Sequence, residues 1–203
     1  MKAFLTIIFS SVLIFMTGIQ FVVGQDSLGT VTISYVLDRT KTIASNQFGI
    51  WIEDEGGRYI KTLFATRFAA EGGFRKRPQT LPEWVEKSGW ENATQEEIDA
   101  VSGATPQSGT FTVVWDLTDR TVKPVPPGTY VYKIEGTIYW QNRVLWEGRI
   151  DVGGAEEKTS MADATYYPPE AAEGAVITTR EGKQKNLDSV LIEQVKATYN
   201  PPR

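Results

Sequence analysis

The stretch TVTISYVL (Thr30–Leu37) places Val31, Ile33, Tyr35 and Leu37 at every second position. A period of two sends these side chains to one face of an extended chain, and no helix gathers them into a stripe. The pattern recurs along the sequence. Phe48, Ile50 and Ile52 share a face in NQFGIWIED, and Tyr59–Thr66 follows after Gly56-Gly57, a turn pair that tolerates positive φ. Phe111, Val113 and Trp115 share the next face. Beyond the proline-rich turn, Tyr130, Tyr132 and Ile134 point one way, and Val131, Lys133 and Glu135 the other. NRVLWEGRIDVGG and VLIEQVKATY (Val190–Tyr199) complete the set, with Gln141-Asn142 as a hairpin turn. Regular strands separated by turn signals predict an antiparallel β-sandwich. Trp51 lies opposite Ile50 and Ile52, so this strand is expected to be covered on its second face too.

Two short helices interrupt the strands. In TLPEWVEKSG, Thr80 and Glu83 have capping-box spacing, Pro82 suits an early helical position and Gly89 a stop. In TQEEIDAVSG, Thr94 and Glu97 repeat the box, Ile98 and Val101 form the buried side, and Gly103 is the expected C-terminal stop. Residues 155–187 are polar and carry YYPPEAAEG, which reads as a surface excursion.

The N-terminus bears on location. Lys2, the apolar run Leu5–Met16 and Val22-Val23-Gly24 before Gln25 describe a secretory signal peptide over residues 1–24. The mature chain, 25–203, is then a single exported domain without a transmembrane span; retention as an uncleaved anchor is the alternative. The chain has no cysteine and no histidine. That removes disulfides, thiolate chemistry, the usual general base and every Ser-His-Asp arrangement. The charge is −4, from 21 basic and 25 acidic residues. It argues against nucleic acid as a partner.

VVWDLTDRTVKPVPPGTYVYKIE resembles the Ig-like domain of the flagellar hook-capping protein. Trp115, Asp116, Asp119, Val125, Pro126, Gly128 and Tyr130 carry the match. The resemblance implies an Ig-like sandwich, with Trp115 and Tyr130 in the core and the aspartates bonding turn amides. Val122 stands where that family usually carries a turn glycine. With FGIWIEDEGGRYIKTLFATR and RPQTLPEW, the chain also resembles a family of predicted periplasmic bacterial proteins with no assigned function. That resemblance implies location and architecture, and an association with membrane redox proteins and a flavin transferase.

Asp99-Ala100-Val101-Ser102-Gly103-Ala104-Thr105 is similar to the D-x-x-[ST]-G-A-[ST] signature of exported flavoproteins, such as the FMN-bearing subunits of the sodium-pumping quinone reductase. In those families a flavin transferase joins FMN through its phosphate to the last threonine. The resemblance makes Thr105 the acceptor of covalent FMN. Asp99, Ser102, Gly103 and Ala104 complete the cofactor-binding motif, with Asp99 read by the transferase or positioning the hydroxyl. Pro106 departs from the small or hydroxyl residue common there. The competing reading is a plain helix stop leading into a strand.

Other candidates have bland readings. Asp54-Glu55 lacks the spaced ligands of a calcium loop and fits a solvated turn. Arg75–Arg77 suits an FMN phosphate or a solvated loop. Trp84 and Trp90 suit a flavin stacking platform or helix packing, and the second is favoured. No metal site and no catalytic residue stands out. Two functions follow: an exported accessory redox protein carrying FMN on Thr105 and exchanging electrons with a membrane partner, or a non-catalytic binding or structural module without a cofactor.

Overall fold

The computed structural model describes residues 28–39, 46–138, 143–167, 177–179 and 191–202. The signal peptide and the Gln141-Asn142 turn lie outside the described residues. In chain order the elements are β1 (Thr30–Leu37), β2 (Gln47–Asp54), β3 (Tyr59–Thr66), α1 (Arg67–Ala70), α2 (Pro82–Ser88) and α3 (Gln95–Val101). Then come β4 (Ser102–Gly103), β5 (Gly109–Trp115), β6 (Gly128–Thr137), β7 (Arg143–Val152), β8 (Lys158–Met161), β9 (Asp163–Tyr167), β10 (Ile177–Thr179) and β11 (Ile192–Asn200).

The strands form two sheets, one ordered β5-β1-β11-β8 and the other β10-β9-β7-β6-β2-β3-β4. All pairings are antiparallel except β3 with β4. The alternating faces meet between the sheets. Val31, Ile33, Ile50, Tyr132, Ile134 and Trp146 belong to one buried cluster. The all-β sandwich expected from period two is the fold observed.

The larger sheet is buried on its second face as well, as Trp51 required. Trp51, Ala65 and Leu145 pack there with Leu81, Trp84, Trp90 and Phe74 from the helical segment. This explains why β6 is buried along both faces from Tyr130 to Thr137.

The connection from β5 to β6 is a rigid corner. The Trp115 and Tyr130 rings meet edge to face at 5.0 Å. Trp115 Nε1 donates to the Thr118 carbonyl at 2.8 Å, and Tyr130 Oη to the Pro126 carbonyl at 2.7 Å. Asp119 accepts from the amides of Thr121 and Lys123. Val122 sits in this turn at φ +62°, in the left-handed region that favours glycine.

Several expectations need correction. The described helices number three short α-helices, not two, because α1 follows β3 directly. Thr80 does not cap α2. Its N-cap is Leu81, in the left-handed region, with no side-chain cap, and Thr80 itself is buried. Gly103 is not a helix stop. Helix α3 is capped by Ser102 in extended conformation, and Ser102 and Gly103 pair with Ala65 and Thr66. Residues 158–167, within the expected polar excursion, are mostly strand: β8 and β9. Thr94 and Glu97 do form a full capping box, and Gly89 ends α2 in the left-handed region.

Candidate functional site

Helix α3 runs beside the edge of the larger sheet and hands the chain to β4. The sheet corner there is held by Thr66, whose Oγ1 donates to Gln47 Oε1 at 2.6 Å and accepts from the Phe48 amide at 3.3 Å. The pairing of β4 beside β3 demands glycine at 103, because a Cβ there would lie 2.4 Å from Phe64 Cε2. The Phe64 ring is stacked on Phe48 at 4.9 Å and has little room to yield.

After Gly103 the chain leaves the sheet. Residues 104–107 have no regular structure, and Ala104 is exposed. Thr105 is half-buried, and its Oγ1 donates one long hydrogen bond, 3.4 Å, to the Asn46 carbonyl. Asp99 is exposed on α3, and its Oδ1 accepts from Gln95 Nε2 at 2.8 Å. The five motif residues therefore run from α3 through β4 into a loop. Asp99 and Thr105 are held by different partners.

The tryptophans pack into the helical layer, and Trp90 also lines a groove beside α3. Trp84 and Trp90 are buried and packed on each other at 4.8 Å. Their ring nitrogens donate to Thr62 Oγ1 and the Ala70 carbonyl. The guanidinium groups of Arg75 and Arg77 lie over Phe74 and Phe68. Asp54 closes its hairpin by accepting from the Arg58 amide and Nε, as a turn residue would. Among the described residues no cluster of carboxylates is arranged to hold a metal ion.

Sequence reasoning missed a groove of about 640 Å³ beside α3. Its walls include Tyr59 and Lys61 of β3, Val101 of α3, Val114 of β5, and Arg120 and Val122 of the corner. Lys61 Nζ bonds Asp116 at 2.9 Å and Thr118 Oγ1 at 2.6 Å. Arg120 pairs with Glu97, Nε to Oε1 at 3.1 Å. Glu97 is held below the usual carboxylate range by the Thr94 amide first and by Arg120 second. Burial tends to raise the Asp116 carboxyl, yet the Thr118 hydroxyl and Lys61 outweigh it and hold the group low. These contacts join residues far apart in the chain, so no local motif marks the groove.

A second polar feature ties the helices to the sheet. Buried Glu135 Oε2 accepts from the Trp84 amide at 2.8 Å, so a strand residue caps α2. Glu135 Oε1 also meets Arg143 at 3.1 Å. Burial pushes the Glu135 carboxyl up to about 7 against those bonds. Lys133 Nζ lies 3.0 Å from Glu83, 3.1 Å from Glu147 and 3.5 Å from Glu53. Burial disfavours its charge, but Glu83 and Glu147 prevail and hold it above the ordinary lysine value. This network is saturated by its own members.

No curated protein and no solved structure matches the chain. The profile of a family described as "Predicted periplasmic protein (DUF2271)" matches residues 30–168, which spans the strands from β1 to β9 and all three helices. That match covers more than half of the sequence, so the chain belongs to the DUF2271 family of predicted periplasmic proteins.

Proposed function

We propose that this periplasmic protein is an accessory electron carrier with FMN esterified to Thr105. The observation that carries the reading is the placement of Asp99–Thr105: α3 and β4 deliver the motif to a loop whose threonine hydroxyl makes, among the described residues, one long hydrogen bond. Such a bond contributes little to stability, so the oxygen is available for esterification at small cost. Exposed Ala104 leaves a transferase room to approach. Asp99 serves as a recognition group on the helix surface, since its partner is Gln95 and the Thr105 hydroxyl points to Asn46.

In the attachment step, Thr105 Oγ forms a new bond to the FMN phosphorus of a flavin dinucleotide donor. The pyrophosphate bond breaks, AMP leaves, and the hydroxyl proton passes to a base on the transferase. Once joined, the flavin supplies one- and two-electron transfer. The protein is then a carrier for a membrane redox partner, and the catalyst of attachment is the transferase. The chain lacks the histidine and cysteine that most proton-transfer and nucleophilic sites rely on. Among the described residues no helix is long and apolar enough to cross a membrane.

Intact mass of protein exported from its native host, or co-expressed with a flavin transferase, tests this. The mass should rise by one FMN less one water, and Thr105→Ala should abolish the rise and the yellow colour. A native protein of unmodified mass would overturn the redox reading and leave the binding-module one.

A further inference from the structure

We infer that the groove between α3 and β5 is the dock for the isoalloxazine ring of a flavin tethered at Thr105. The inference rests on the attachment proposed above and adds where the reactive ring sits. Val101 lines the groove and Thr105 follows four residues later, so their Cα atoms are at most about 14 Å apart. The phosphate and ribityl arm of FMN is comparable in length. Two other surface grooves are lined by no residue between Gln95 and Ser108.

The walls suit a flat heteroaromatic ring. Val114 and Val122 are 55% and 72% exposed, and both line this groove. Among the described residues only Met161 joins them as a large exposed apolar side chain. Apolar surface of this kind, gathered in one cleft, favours a ligand with an apolar face. Tyr59 adds an aromatic wall, partly covered by Arg120 at 5.9 Å. Lys61 and Arg120 also line the groove, each ion-paired with a carboxylate of the same groove, Asp116 and Glu97. The groove therefore offers apolar and aromatic surface to the faces of the ring.

The test uses full-length protein co-expressed with a flavin transferase. Val114→Glu and Val122→Asp place a carboxylate in the groove at exposed positions, and Met161→Glu is the control on β8. FMN attachment is read by intact mass, and ring placement by flavin fluorescence and visible circular dichroism of the attached fraction. Docking predicts quenched emission and an induced dichroism band in the wild type and in Met161→Glu. Both groove variants should lose the band and regain emission. Attached flavin whose emission and dichroism are unchanged by the groove variants would overturn the dock and leave attachment standing. Absence of FMN from the wild-type mass would overturn both.

Discussion

Three residues sit where single side chains decide local outcomes. Val122 is a β-branched residue at φ +62°, and it is mostly exposed. The left-handed region costs such a residue about 1–2 kcal/mol, and little burial offsets it here. Glycine removes that strain but adds chain entropy to the unfolded state. Val122→Gly is expected to stabilise the protein by about 0.5–1 kcal/mol, seen as a higher urea midpoint with an unchanged slope. Gly103 is the opposite case. Its backbone is unstrained, and the Phe64 ring leaves no space for a Cβ. Gly103→Ala should cost about 1–3 kcal/mol in the same measurement, as overpacking does. Thr105→Ala should change stability by no more than about 0.5 kcal/mol, because only a 3.4 Å hydrogen bond is lost. Loss of flavin in that variant would then report attachment and not unfolding.

The helices differ in what holds their first turns. Helix α3 carries its own capping box, with Glu97 N donating to Thr94 Oγ1 and Thr94 N to Glu97 Oε2. Thr94→Ala removes one half of it. A loss of about 1 kcal/mol is expected, with faster amide exchange across Gln95–Val101. Helix α2 has no such local device. Its first amides reach Glu135 on β6, about fifty positions away in sequence. Thr80 and Glu83 had the right spacing for a box, but Leu81 enters the helix with φ +50°, so the Thr80 side chain is turned away into the buried layer. Spacing on its own cannot say which of two carboxylates will reach an amide first. The tertiary fold brought in the one that is buried.

Across the molecule, the missing histidine makes one titration visible. With no histidine and no cysteine, few groups titrate between pH 5 and 8. Among the described carboxyls with resolved shifts, Asp54, Glu97, Asp116 and Asp119 are lowered and act below this window. Glu135 is raised to about 7. A carboxyl raised above its unfolded value adds stability that is fully present below the unfolded pKa. That stability is lost as pH rises through the folded value. Urea midpoints should therefore fall between pH 5 and pH 8, by on the order of 1–3 kcal/mol in unfolding free energy. Glu135→Gln should flatten that dependence. A wild-type midpoint that rises over the window would show that Arg143 and the Trp84 amide dominate the carboxylate.

The sequence by itself determined the strands, because a period of two leaves an apolar face no other way to be buried. β1 and β3 begin and end where the alternation and the glycine turn place them. It also determined the Thr94 cap and the Trp115–Tyr130 corner, since each is built from neighbours in the chain. Strand β4 was not legible, because Ser102 and Gly103 become a strand only by meeting Ala65 and Thr66. Nor were β8 and β9, whose short polar pattern is completed by pairing with β11 and β7. The groove beside α3 and the Glu135 cap belong to the tertiary structure alone. Both depend on residues tens of positions apart, and only the packing of two sheets and a helical layer brings them within bonding distance.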